Sequence, residues 1–549
     1  MKRHILLTFA ICLTIIAECD VRVSLEEAQE KATAYYQKID GNKKGMYKAG
    51  TPESISLLGL ADMWLVPIND SWILVSSDKR TEAILARFME VEKPDFKSLP
   101  PAAQYLISCY EHDIAYVRDS CKECRVNDCW NKQPQGMINR TKQNNSLPSE
   151  VEPLLGYIQW DQYGNNSYPI SCEKTYNKFC PEIVTTNTLL CNHAVVGCVA
   201  VAIGQIMRYW QWPYSADVPT TVGGSIKEKS FYDWDLMPNY LTNSVSLEEA
   251  NMVAGFLRDL GYDLDMDYGE SSGATDYAAR STFVNFGYDD NTLTHRAKWK
   301  TPGWTNYLHS EIAAGRPVYY SGRTALIGGN GHAFVLDGYD AGHLYHVNLG
   351  WGGYLDGYYF IDTISPGTSS FSHSQAAIWG IQPASNYCTP LTVSSVESPK
   401  FCIAQAGTIT LNGVNISNVS EGKVYSSESI ILGEGTSVNS GSNVHFAIKT
   451  IPCSSPIDPM LLSTRMTYDS APTLIQNDDD KSRVTFSDEI IKIESVSTIT
   501  GMFLFGIDGR IVRQSNNASL STNNLPNGVY VVKVIEENYT YQTKFVLQR

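Results

Sequence analysis

Gly197-Cys198-Val199-Ala200-Val201-Ala202-Ile203-Gly204-Gln205-Ile206-Met207-Arg208-Tyr209-Trp210 is the stretch whose reading decides the fold. Val199, Ile203, Ile206, Met207 and Trp210 recur at helical spacing, Ala200 and Ala202 favour helix, and Pro213 marks its end. The spacing predicts a buried helix with Cys198 as its first residue. A thiol there faces unpaired N–H groups and the positive end of the helix dipole, both of which favour thiolate. Such settings lower a cysteine pKa from about 8.5 to roughly 3.5–7.5, most of all beside a histidinium. Cys198 is therefore a candidate nucleophile. The competing reading is a small hydrophobe in a core helix, and the residues downstream decide between the two.

A chain of 549 residues is too long for one core and implies three or four domains. Hydrophobic residues at 43% and charged residues at 18% describe an ordered globular protein. The formal charge of −15 argues against nucleic acid as a partner. Met1-Lys2-Arg3-His4 followed by apolar Ile5 to Ala17 has the charged start and short apolar core of a signal peptide, cleaved near Ala17 or Cys19. That run is shorter than the ~20 residues of a membrane span, and no other stretch is long and apolar enough to cross. Glu18 before Cys19 spoils the pattern for a lipid-modified cysteine. Export permits disulfides among the 13 cysteines. If cleavage follows Cys19 and Cys198 is set aside, an even number remains. Cys121, Cys124 and Cys129 have no second ligand pair at zinc spacing, so disulfides are expected there and no metal.

In chain order, residues 20–130 begin with an amphipathic helix from Leu25 to Ile39. Two strands follow around Trp64 and Trp72, joined by an Asn69-Asp70-Ser71 turn, and then a helix from Ala102 to Val117. The Asn-, Gln-, Lys- and Ser-rich stretch 131–150 reads as an exposed, easily cut linker. Residues 151–385 hold the Cys198 helix, a second helix near Leu247 to Gly261, and strand signals at Pro317–Tyr320, His332–Leu336, Leu344–Val347 and Gly357–Phe360. Helices first and strands after imply an α+β region of two subdomains with a cleft between them. Residues 386–480 and 484–549 read as all-β domains separated by the charged spacer Asp478 to Ser482, with no clustered chemistry.

Thiol catalysis needs a base, a group that orients the base, and donors for the oxyanion. Gly328-Gly-Asn-Gly331-His332-Ala-Phe-Val-Leu-Asp-Gly-Tyr places His332 between a glycine-rich loop and an apolar strand, the best setting among ten histidines. His193, His343 and His346 are its rivals. Asn348, in His346-Val-Asn348-Leu-Gly-Trp351, offers a carbonyl to orient an imidazole, and Trp351 can shield that bond; the plain alternative is a turn asparagine. The Cys198 N–H is a natural oxyanion donor, and Gln162 in Trp160-Asp-Gln162 is a candidate for the second.

Gly197-Cys198-Val-Ala-Val-Ala-Ile-Gly-Gln-Ile-Met, Gly331-His332-Ala-Phe-Val-Leu-Asp-Gly-Tyr339 and Asn348-Leu-Gly-Trp351-Gly-Gly-Tyr together resemble the streptopain family of papain-like cysteine peptidases, in the papain order of cysteine, histidine, asparagine. The resemblance implies a papain-like two-subdomain α+β fold. It assigns catalytic roles to Cys198, His332, Asn348 and Gln162, with Trp351, Gly331 and Gly197 in support, and requires no metal or organic cofactor. Residues 25–117, with Trp72-Ile-Leu-Val-Ser-Ser-Asp-Lys-Arg and Leu99-Pro-Pro-Ala, are similar to the family's inhibitory propeptide. Val151-Glu-Pro-Leu-Leu-Gly-Tyr-Ile-Gln-Trp160 resembles the start of its mature enzyme. Activating cleavage is then expected in 131–150. The final residues, with Gly506-Ile-Asp-Gly509 and Leu525-Pro-Asn-Gly-Val-Tyr-Val-Val-Lys533, look like a C-terminal sorting domain of type IX secretion. Two features depart from the family pattern: Leu349 follows the asparagine where a tryptophan is frequent, and Cys172, Cys180 and Cys191 suggest a disulfide-braced loop between Gln162 and Cys198.

The expected function is a secreted or surface-held cysteine endopeptidase of a Gram-negative bacterium, made as a zymogen. Its expected partners are protein or peptide substrates, its own propeptide and the type IX secretion machinery. The alternatives are an adhesin or binding protein on an inactive papain-like scaffold, and a cysteine-dependent transpeptidase or isopeptidase.

Overall fold

The computed structural model describes residues 21–40, 49–89, 92–96, 98–120, 147–164, 170–323, 331–361 and 375–451, some single positions, and strands between 483 and 547. The expected signal peptide, the Cys121-Cys124-Cys129 cluster, most of the linker, the glycines before Gly331 and the spacer at 478–482 lie outside the described residues.

Residues up to 457 and from 458 onward form two compact units. In the first, α1 (Leu25–Ile39) opens with a capping box, in which Ser24 Oγ accepts from Glu27 N–H and the Glu27 carboxylate accepts from Ser24 N–H. Strands β1 (Glu53–Ile55), β2 (Met63–Ile68), β3 (Ser71–Ser76) and β4 (Ile84–Phe88) follow, then α2 (Pro101–Ser120). The β2–β3 turn bends at Asn69, whose φ of 51° suits asparagine. Next come α3 (Cys198–Trp210), the hairpin β5 (Ser215–Pro219) and β6 (Lys227–Phe231), α4 (Leu247–Asp263) and α5 (Asp276–Asn285). The strand-rich part contains β7 (Thr294–Ala297), α6 (Trp304–Ala313), β8 (Val318–Arg323), β9 (Gly331–Tyr339), β10 (Tyr345–Asn348), β11 (Gly357–Tyr359) and β12 (Ala376–Trp379). The architecture is α+β.

One sheet runs through both the N-terminal segment and the region after 151, in the order β1-β2-β3-β4-β11-β10-β9-β8-β12-β7. The seam is the antiparallel pair β4–β11, with Ala86, Arg87 and Phe88 opposite Tyr359, Tyr358 and Gly357, extended by Phe360 N–H donating to Leu85 C=O at 2.8 Å. Gly357 permits this approach, since a Cβ there would lie 2.7 Å from Arg87 C=O. An unpaired edge strand is a liability, and here each segment covers the other's edge. Val151 exchanges backbone hydrogen bonds with Tyr339 at 2.8 and 3.0 Å, and Leu154 and Leu155 N–H donate to the Asp337 carbonyl and carboxylate. The stretch that starts at Val151 is thereby tied to the far end of β9.

Residues 391–448 pair in parallel. Leu391–Val393, Ile409–Leu411 and Ile430–Leu432 form one sheet, Lys400–Gln405, Glu421–Ser426 and Val444–Ile448 a second, and Asn415–Ile416 with Ser437–Val438 a third. This is a short solenoid of roughly 21-residue coils, wound around Val393, Phe401, Ile409, Leu411, Val414, Ile416, Val419 and Val424. The second unit holds two antiparallel sheets. One is made of Arg483–Ser487, Ile490–Glu494 and Ser519–Ser521, the other of Ile511–Ser515, Ile499–Gly506, Gly528–Glu536 and Thr540–Leu547.

Cysteine parity misleads as a guide to pairing. Cys172–Cys191 and Cys388–Cys453 are bonded, whereas Cys109, Cys180, Cys198 and Cys402 are free. Cys180, expected in the braced loop, is instead a buried thiol whose pKa burial pushes up to about 12. No described helix is long and apolar enough to cross a membrane.

Candidate active site

Helix α3 is buried along nearly its whole length; only Cys198 and Arg208 keep partial exposure. Its N-cap, Gly197, has φ 91° and supplies no side-chain cap. A Cβ at that position would meet Met266 at 3.0 Å and Ser272 C=O at 3.2 Å, so glycine is required by both space and backbone. The uncapped first turn leaves its N–H groups free to act on what lies in front of them. Cys198 Sγ sits there and also accepts from Ala333 N–H at 3.4 Å. Ala333 is the neighbour of His332 on β9, so the helix start meets the strand that carries the candidate base.

The thiol and the imidazole of the expected pair are not joined. Burial raises the Cys198 thiol pKa, against the pull of the Ala333, Val199 and Cys198 amides, and the Asp276 carboxylate raises it further. Burial also lowers His332 to about 4. Both groups are therefore held neutral near pH 7, and no hydrogen bond links the His332 ring to Cys198 among the described residues. The register places His332 opposite Gly322, so side chains at these two positions share one face of the sheet. On that face the Tyr105 ring of α2 lies 2.3–2.5 Å from where a Gly322 Cβ would stand. The N-terminal segment thus packs against the strand pair at the level of His332. Gly331 opens β9 opposite Arg323 and is exposed.

Asn348 is buried and pairs with Val335 on β9. Its amide donates to Ile158 C=O at 2.7 Å, and its Oδ1 accepts from Gln205 Nε2 at 2.9 Å and Gly350 N–H at 3.0 Å. Its side chain is therefore committed to partners other than His332. Trp351 packs edge-on against Tyr163, with ring centroids 6.3 Å apart. Gln162 is locked through its backbone: its C=O accepts from Val196 N–H at 2.9 Å, two residues before Cys198, and its N–H donates to Asp161 Oδ1 at 2.5 Å. The buried Asp161 carboxyl is pushed up to about 7 by burial, opposed by the Gln162 and Tyr163 amides.

Two of the rival histidines, His193 and His346, have partners elsewhere, and His343 is half-buried apart from Cys198. His193 Nδ1 contacts Cys180 C=O at 2.8 Å. Burial lowers His343 to about 4. His346 pairs with Asp337 at 2.6 Å; burial disfavours its charge, but that carboxylate outweighs burial and raises its pKa.

Gln205 is the residue that sequence reasoning missed. Fully buried on α3, it accepts from Trp160 N–H through Oε1 at 3.0 Å while donating to Asn348. Together, Gln205 and Asn348 clamp the 158–160 segment, the Cys198 helix and the loop after β10. A polar residue on the apolar face of an otherwise buried helix was the available signal.

An α+β region with a thiol at an uncapped helix start, opposite a histidine strand, defines a class. Residues 171–359 match the model of the Peptidase C10 family, and residues 480–548 match the secretion system C-terminal sorting domain. Among curated relatives, the thiol protease/hemagglutinin PrtT of Porphyromonas gingivalis is 28% identical over 345 residues, 58% of this chain and 36% of its own length. Streptopain of Streptococcus pyogenes is 32% identical over 217 residues, 35% of this chain and 53% of its own. The chain thus spans about half the length of the streptopains it matches, and less of PrtT. A solved prointerpain A fragment of Prevotella intermedia aligns over 61% of this chain and 99% of its own, at 23% identity and a TM-score of 0.47. Active interpain A of the same organism aligns over 43% and 96%, at 29% identity and a TM-score of 0.35. The sorting domain marks the chain as exported, secreted or held at the surface of a Gram-negative bacterium.

Proposed function

We propose that the chain is a cysteine endopeptidase made as an inactive precursor, with Cys198 as nucleophile and His332 as its acid–base partner. The observation that carries this reading is Cys198 at the uncapped start of a buried helix, with its sulfur on the amide beside His332. In the active form the Cys198 thiolate attacks a peptide carbonyl. The His332 imidazolium protonates the departing amine, and the same ring then activates the water that releases the acyl-enzyme. The Cys198 N–H and Gln162 stabilise the oxyanion. Asn348 acts with Gln205 to fix the wall around the nucleophile, and Trp351 shields that side.

Residues 20–130 act as the inhibitory propeptide. Support comes from Tyr105 at the level of His332 and from the β4–β11 pairing that joins the segment to the same sheet. Cleavage within 131–150 leaves a mature chain whose start is already held by Val151 on Tyr339. Substrates are polypeptides, and the type IX secretion machinery is the partner of the C-terminal domain.

The test is hydrolysis of unfolded casein under reducing conditions by the full chain, beside Cys198→Ala and His332→Ala, with N-terminal sequencing of products over time. The wild type should cut itself within 131–150 and then digest casein, while both variants stay intact and at background. Equal inertness of all three after an added protease removes the N-terminal segment overturns the reading.

A further inference from the structure

Between the 158–163 segment and Cys198 the chain makes an excursion that the proposed chemistry does not use. Pro181 and Ala194 close its base through Ala194 N–H on Pro181 C=O at 2.9 Å, Ile183 N–H donates to Asn192 C=O at 2.9 Å, and Glu182 bridges to His193. The Cys172–Cys191 disulfide ties one arm to the body, and the Asn177 amide holds the Leu190 and His193 carbonyls. At the tip, Asn187 Oδ1 caps Leu189 N–H at 3.1 Å, and Thr185 donates to the Glu270 carboxylate. This hairpin is rigid, yet it presents Val184 fully to solvent, at 105% relative exposure, and leaves Leu189 43% exposed.

The hairpin runs directly into the backbone that precedes Cys198. Val195 N–H donates to Gly269 C=O at 3.0 Å, Ser272 Oγ donates to Val195 C=O at 2.7 Å, and Ser272 C=O packs on Gly197 before the nucleophile. We propose that hairpin 181–194 is a substrate-binding rim, on which Val184 and Leu189 take apolar side chains of an extended polypeptide at positions remote from the scissile bond. The proposal rests on the peptidase reading above. Two apolar side chains are far too few for a stable protein interface, which needs about 20–30 residues a side, so the occupant is a single extended strand of substrate. Because the hairpin is already fixed by the disulfide and its hydrogen bonds, binding there loses little ordering entropy.

The test is the full-length chain carrying Val184→Ser and Leu189→Ser, activated and assayed on unfolded casein and on a fluorogenic peptide of about three residues. Both positions are exposed, so folding is expected to be unaffected. Casein kcat/KM should fall about tenfold, mainly through KM, while the short peptide stays within about twofold. A second variant, Cys172→Ser with Cys191→Ser, should raise KM for casein alone by loosening the hairpin. No change on casein, or an equal fall on both substrates, overturns the rim. A wild type inert on both substrates overturns the peptidase reading and takes the rim with it.

Discussion

At the scale of single residues, the site depends on a buried amide that was plain in the sequence yet carried no evident meaning there. Gln205→Leu would keep the volume and helix propensity of position 205 but leave Trp160 N–H and Asn348 Oδ1 facing an apolar side chain. An unsatisfied buried group costs about 1–3 kcal/mol, so this variant should lose roughly 2–4 kcal/mol of stability by denaturant unfolding. It should also lose activity through kcat, as the 158–163 segment and the loop after β10 drift from α3. Gln205→Glu, similar in shape, should restore less than full stability because it buries a charge. The positions of Cys198 at a helix start and of His332 on a strand were legible because each lies in a motif whose spacing and composition agree. The partners of Asn348 were not legible: they come from positions 158, 205 and 350, and nothing local says which of several buried polar groups will meet.

At the scale of elements, the helix α1 and the turn after β9 form a docking contact that should respond to pH. Tyr35 donates to the Asp340 carboxylate, and Lys38, Arg87, His309 and His343 surround that pair. His343 is lowered to about 4 by burial, with Lys38 and His309 adding to the effect, and His309 is itself lowered by burial. A histidine whose pKa falls from about 6.5 when free to about 4 when docked binds fewer protons docked than free between those values. Docking is therefore at full strength above about pH 6.5 and weakens as pH falls toward 4, by about 2 kcal/mol at pH 5 for one such group. Asp340 opposes this, since burial raises its pKa and favours its protonated, docked form as pH drops. His309 is packed by Thr305, Tyr339 and Tyr345, all after residue 151, so the docking-dependent part lies with His343, which faces Lys38 of α1. In the Cys198→Ala chain cut in its linker by an added protease, the N-terminal fragment should stay bound at pH 7 and separate on a sizing column at pH 5. His343→Gln should flatten that difference, and retention at both pH values would contradict it. The individual helices α1, α2 and α4 were readable from periodicity. The β4–β11 seam was not, because edge pairing between segments some 270 residues apart leaves no local trace.

At the scale of the whole molecule, the chain combines a region that matches the Peptidase C10 family, a parallel solenoid and a C-terminal stretch that matches a secretion sorting domain. Deleting 480–549 should leave casein hydrolysis by the purified, activated protein unchanged, but retain the protein in the periplasm of its host instead of the medium or surface. Fractionation with an antibody to the catalytic region checks this, and full export of the truncated chain would refute it. By itself the sequence determined the helix that begins at Cys198, the strand that carries His332 and the all-β character of the C-terminal third, because period, propensity and turn chemistry act over a few residues. It did not show the parallel pairing after 391, whose coils are set by contacts about 21 residues away, nor which cysteines pair. Tertiary structure alone decided that the N-terminal segment completes the sheet, that Tyr105 lies at the level of His332, and that Gln205 rather than His332 holds Asn348. Such contacts are fixed by packing and by the need to satisfy every buried polar group, conditions that exist only once distant parts of the chain have met.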